Sequence, residues 1–189
     1  MATRQDLQPE FRFGLGDLSL EFLATLAGRH RTPFDRLAGP HELERWLVQA
    51  GLLEEARCDE TDLAAARELR EAAYRLLGAA RQGRRAAERD VGVVNRFARE
   101  AVPAPRLDAS LELVWRSSDP VAGAFARVAA STIHLVSGPD LERVRDCADP
   151  TCSLLFIDRS RPGRRRWCSM ERCGNRSKTA RYRQRTRSA

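Results

Sequence analysis

No apolar stretch in this sequence approaches the ~20 residues a membrane-crossing helix needs, and Met1 to Phe11 contains no apolar signal core. A cytoplasmic protein is expected. Histidine is scarce: His30, His41 and His134 lie far apart, and each reads as an ordinary surface or core histidine. There is no P-loop, nucleophile elbow, dinucleotide fingerprint or open-ligand zinc motif, so an enzyme is not expected. Internal repeats are absent too. Lysine has almost disappeared: Lys178 is the single lysine among 33 cationic residues, the rest being arginine. Codon bias toward G and C explains most of that enrichment. Arginine nonetheless reads phosphate and guanine better than lysine, because its planar fork donates two parallel hydrogen bonds.

What is present is unevenly spread. Residues 141–189 hold 14 Lys and Arg against 5 Asp and Glu, whereas residues 1–140 are slightly acidic, so the overall charge of +7 is a property of one end. The same end carries Cys147, Cys152, Cys168 and Cys173 in the pattern C-x4-C-x15-C-x4-C. In a reducing compartment two such pairs hold zinc rather than forming disulfides. Four thiolates leave no coordination position for water, so the expected cofactor is one structural Zn2+. Cys58 stands apart and reads as a small loop residue.

The body is expected to be mainly helical. Leu20, Leu23, Ala24 and Ala27 share one side of a segment from Leu18 to Ala27 that Gly28 would stop. Pro40, Leu43, Trp46, Leu47 and Ala50 describe a second helix before Gly51. The clearest stripe runs from Asp62 to Arg81 through Leu63, Ala66, Leu69, Ala73, Leu76 and Ala80, with Thr61 as its cap. Another helix spans Arg85 to Ala101 with Val91, Val94 and Phe97 inward. Between Pro105 and Ser117 the period drops to two, predicting a strand or hairpin. Asp119-Pro120 then opens a helix that Gly138-Pro139 ends. The fold class is a mainly α N-terminal domain with a small β element, residues 1–138, plus a small C-terminal four-cysteine, zinc-ribbon-like α+β finger, residues 141–189. Within the finger, Leu155 to Ile157 and Arg165 to Trp167 are expected to pair as a hairpin turning at Arg161-Pro162-Gly163. Without metal residues 141–189 are expected to be largely unfolded.

Cys173-Gly174-Asn175-Arg176 is the tetrapeptide that marks the CGNR zinc fingers. Phe156-Ile157-Asp158, Ser160-Arg161, Arg165-Arg166-Trp167-Cys168-Ser169-Met170 and Lys178 also resemble that family's pattern. The resemblance is specific over residues 143–187. Over residues 15–137 it extends more loosely to the family's helical N-terminal part, the ABATE domain. One departure is Ala24-Thr25, where relatives carry an Asn-Thr pair. The resemblance implies a bacterial, stress-linked, DNA-binding transcriptional regulator.

A helix from Glu171 to Arg187 would align Arg172, Arg176, Arg183 and Arg187 in one stripe and Lys178, Arg181 and Arg185 in another. It has almost no apolar face, so packing cannot hold it beyond its first turn. Arg164, Arg165 and Arg166 add a second cationic group. These residues, with Asn175 and Arg176 as candidate base readers and Asn175 alternatively a brace for the metal knuckle, form the candidate nucleic-acid interface. DNA is the leading partner, and a ribosome-associated or other RNA-binding ribbon is the alternative. A body of this size beside a finger is expected to sense a small-molecule effector, to form a homodimer, or to do both.

Overall fold

The computed structural model describes residues 10–99, 104–116 and 119–187. Three helices make the centre of the body: α3 (Glu60–Arg81), α4 (Glu88–Ala98) and α5 (Pro120–Ser137), with α1 (Leu18–Leu23) and α2 (Pro40–Gln49) laid against them. Phe22 and Trp46 meet at 5.0 Å between ring centres, and Phe97 meets Phe125 edge-on at 5.9 Å. Leu37, Leu43, Leu47, Leu69, Val94 and Val128 close the core around them. The stripe read for α3 is buried from Leu63 to Leu76, with Ala79 rather than the half-buried Ala80 at its end, whereas α4 turns Val93, Val94 and Phe97 inward and leaves Val91 exposed.

Helix ends depart from expectation where local chemistry intervenes. The first helix stops at Leu23, because Thr25 turns its hydroxyl onto the Phe22 carbonyl and β1 (Leu26–Ala27) pairs antiparallel with β2 (Phe34–Asp35). Gly28 therefore serves the β1–β2 turn rather than a helix cap. It is left-handed at φ +66°, and a Cβ there would lie 2.1 Å from the Thr32 carbonyl oxygen. The cap of α3 is Asp59, ahead of Thr61, and it exchanges hydrogen bonds with Asp62 in a capping box. Asp119 caps α5 as its Asp-Pro signature predicts. Residues 85–87 precede α4 without joining it, and the expected end of that helix at Ala101 lies outside the described residues. The change of period yields a hairpin, β3 (Ala104–Leu107) against β4 (Leu113–Arg116).

A buried ionic knot ties the β1–β2 corner to α3. Arg70, 3% exposed, forks onto Asp35 at 2.7 and 2.8 Å and also reaches Thr25 and Glu71. Arg29 forks onto the same Glu71 and stacks 4.0 Å over Tyr74. Burial alone would raise the Asp35 and Glu71 carboxyls, but the guanidinium groups outweigh it and hold both below their ordinary values.

The C-terminal segment begins with a 3-10 turn (Pro139–Arg143) and then β5 (Val144–Asp146) pairs antiparallel with β6 (Leu155–Ile157). The expected partner for Leu155–Ile157 was residues 165–167, which form no strand. Arg165 to Trp167 instead cross toward the first knuckle, where Ala148 donates to the Arg166 carbonyl at 2.8 Å. The turn at Gly163 is present. Phe156 and Ile157 are buried together with Leu15, Leu20, Leu23, Leu77 and Leu135, so finger and body share one apolar seam. Ile157 extends that seam through its backbone, donating to the Leu15 carbonyl at 2.8 Å.

Candidate metal centre and nucleic-acid interface

Two knuckles bring the cysteines together. In the first, Cys147 follows β5 and donates its N–H to the Leu154 carbonyl at 3.0 Å, while Cys152 N–H reaches the Asp149 carbonyl at 2.9 Å. In the second, Cys168 points its N–H at the Cys147 sulfur, 3.5 Å away, and Cys173 sits in a wide π-helical turn, Met170–Gly174, that Ser169 opens. All four sulfurs lie within 4.8 Å of one another, with Cys152 to Cys168 at 3.8 Å and Cys168 to Cys173 at 3.6 Å. A tetrahedron with Zn–S bonds of ~2.3 Å has edges of about 3.8 Å, so the donor set fits zinc in both chemistry and size. As neutral neighbours the thiols cannot share this space evenly: hydrogen bonds among Cys147, Cys152 and Cys168 push Cys147 down and Cys168 up. A dication removes the conflict by stabilising four thiolates at once. The centre holds one structural zinc ion.

The tetrapeptide explains itself residue by residue. Cys173 is the last ligand. Gly174 is buried, and a Cβ there would come within 2.9 Å of the Met170 sulfur. Asn175 starts α6 (Asn175–Arg187), with its side chain exposed. Arg176 is a clamp: its Nε donates to Asp149 at 2.6 Å and its Nη2 to the Cys173 sulfur at 3.4 Å. Asp149 is itself buried and also accepts from the Thr151 backbone and hydroxyl. Burial would raise this carboxyl, but Arg176 and Thr151 together hold it below its usual range. One side chain thus joins the first knuckle to the second and supplies positive charge beside a centre whose four thiolates outweigh the metal.

The other candidate contact residues divide in the same way. Arg165 folds inward, donating to the carbonyls of Trp167 and Cys168 with its guanidinium 4.6 Å over Phe156. Arg172 pairs with Glu10. Arg164 and Arg166 are exposed, Arg166 lying 5.0 Å over the Trp167 ring, and Trp167 donates its indole N–H to Ser177 at 3.2 Å on the first turn of α6. Lys178 and Arg183 are exposed on α6. Arg181 and Arg185 lie on the same helix, their side chains outside the described set.

Two structural acids carry weight that sequence reading did not give them. Asp149 sits in Cys147-Ala-Asp-Pro-Thr-Cys152, where an acid inside a metal knuckle was the available signal. Asp158 is buried and accepts from Ser160 twice and from the Arg165 backbone, shaping the arginine loop; its Asp-x-Ser spacing is the mark of such a turn. Cys58 stays outside all this. Burial, with the carboxylates of Asp62, Glu44 and Asp59 around it, pushes its thiol up to about 12.

A mainly helical body closed by a four-cysteine finger is the class that fold and site define. The chain belongs to the ABATE family, described as "Putative stress-induced transcription regulator", which it matches over residues 16–139, and it carries a CGNR zinc finger over residues 143–186. No curated protein matches the chain. Among the described residues no helix is long and apolar enough to cross a membrane.

Proposed function

We propose that this protein is a zinc-dependent, non-enzymatic transcriptional regulator whose finger binds duplex DNA through α6 and the loop before it. One observation carries the reading. The metal centre fastens the first turn of α6 through Cys173, Arg176 and the Trp167–Ser177 contact, and the helix that continues from it is built of cations and polar residues with no acid and almost no apolar face. A helix of that composition finds its counter-charge and its order on a polyanion. Phosphate contacts are assigned to Arg164, Arg166, Lys178, Arg181, Arg183 and Arg185, and base reading, where it occurs, to Asn175. Arg165 and Arg176 support the surface from behind.

A small effector has a natural seat in the cleft of about 850 Å3 between body and finger, lined among others by His30, Tyr74, Arg75, Arg84 and Ser153. A ligand there would touch α3 together with Asp146, Ser153 and Leu155, which flank the first knuckle.

Gel-shift titrations of zinc-loaded protein against duplex DNA, structured RNA and a random duplex pool test the reading. Preferential duplex binding supports it, and six phosphate contacts would make affinity fall with roughly the fifth power of salt concentration. Preferential RNA binding, or no binding to either, would overturn it.

A further inference from the structure

Among the described residues the β3–β4 hairpin of the body packs mainly against itself. Its strands pair with each other and with no third strand among the described residues, and it exposes three leucines: Leu107 at 68%, Leu111 at 78% and Leu113 at 59%. Leu111 additionally takes a left-handed backbone at φ 62°, a conformation common for Gly and otherwise adopted mainly by Asn and Asp. A lone two-stranded ribbon with an apolar face is marginal in water; three or more strands are the ordinary remedy.

The register shows which edge is open. Asp108 N–H donates to the Glu112 carbonyl at 3.0 Å, and Leu107 opposes Leu113. Hydrogen-bonded pairs alternate along an antiparallel ladder, so residues 106 and 114 and residues 104 and 116 bond inward, while positions 105, 107, 113 and 115 point their backbone groups outward. On β3 that outer edge is blunted by Pro105, which has no N–H. On β4 both outward positions, Leu113 and Trp115, keep donor and acceptor. Only β4 offers an intact edge.

We propose that this edge pairs with the same edge of a second copy of the chain, giving a two-fold β3-β4-β4-β3 sheet. Outward positions must oppose one another, so the antiparallel registers allowed are few. The one centred on Val114 pairs Leu113 with position 115 of the other copy and sets Glu112 opposite position 116, an arginine, of the other copy, twice by symmetry. Opposite charges in directly facing positions stabilise such a pair, and like charges oppose it. Antiparallel pairing also brings the leucine-bearing tip of each hairpin beside the root of the other, which covers part of the surface formed by Leu107, Leu111 and Leu113. This surface is independent of the nucleic-acid reading, because it lies wholly on the body.

Sedimentation analysis of the full, reduced, zinc-loaded protein tests the proposal. Wild type is expected to dimerise at micromolar concentration. Glu112→Arg or Arg116→Glu alone creates two like-charge pairs and should raise the dimer dissociation constant about tenfold or more. The combined Glu112→Arg, Arg116→Glu variant should restore it, with the helical circular-dichroism signal unchanged in all three. A monomeric wild type, single variants that dimerise as wild type does, or a double variant no tighter than the singles would each overturn it.

Discussion

Helices α3 and α6 are both rich in arginine, yet they use it in opposite ways. In α3 every arginine meets a carboxylate: Arg67 and Arg70 meet Asp35, Arg75 meets Asp90, and Arg81 meets Asp146. The opposite face of the same helix is buried from Leu63 to Ala79. In α6 Arg176 borrows Asp149 from the first knuckle, but the helix itself has no acid between Asn175 and Arg187, and among its described side chains none is buried. Arginine content alone therefore does not mark a partner-binding surface. The informative property is whether the fold supplies the counter-charge.

Substitutions on the two helices should separate stability from affinity. Arg70→Ala leaves Asp35 and Glu71 without their buried partner and is expected to destabilise the body by about 3–5 kcal/mol in chemical denaturation, with duplex affinity of the folded fraction unchanged. Arg176→Ala sits between the extremes. It strands the buried Asp149 and strips a donor from Cys173, so zinc affinity measured by chelator competition should fall roughly 10–100-fold, and duplex binding should weaken across all sequences alike. A loss confined to one base position would instead make Arg176 a reader.

Acid sharpens the contrast further. Arg75 is the main force holding Asp90 below its ordinary value, and Arg70 overcomes burial to do the same for Asp35. A depressed carboxyl contributes stability above its unfolded value of about 4 and loses it as pH falls through the folded one. Thermal stability of the body should hold to about pH 5 and then drop toward about pH 2. Asp90→Asn should be less stable than wild type at neutral pH and fall by less on acidification. The smallest effect belongs to Lys178→Ala: stability within about 0.5 kcal/mol of wild type, and a salt slope for duplex binding reduced by about one. A large stability loss there would erase the distinction between the helices.

Most of the architecture was legible because it rests on periodic patterns. The α3 stripe, the period-two hairpin and the Asp-Pro start of α5 all express a face that must be buried or a backbone group that must be capped. The cysteine spacing exposed the metal centre because zinc tolerates few donor arrangements. What escaped depends on contacts between distant residues. No local pattern says that β6 will choose Val144–Asp146 over Arg165–Trp167, since both candidates are short and the decision rests on the seam with Leu20, Leu23 and Leu77. The arginine roles escaped for the same reason: Arg165 and Arg176 look like Arg164 and Lys178 until Phe156, Asp149 and the Cys173 sulfur are placed beside them.

That shared seam also changes what metal loss should do. The sequence alone predicts that residues 141–189 are largely unfolded without zinc. With Val144, Phe156 and Ile157 packed against the body, β5 and β6 should stay docked while the knuckles and α6 come loose. The most direct measurement is hydrogen exchange on zinc-loaded and chelated protein, paired with duplex titration of the same samples. Chelation should abolish protection in residues 165–180, spare α3 and α5, and remove duplex binding together with the lost protection. Unchanged protection around Cys168 and Cys173 after the metal is gone, or full duplex affinity without it, would contradict the claim that zinc organises the finger.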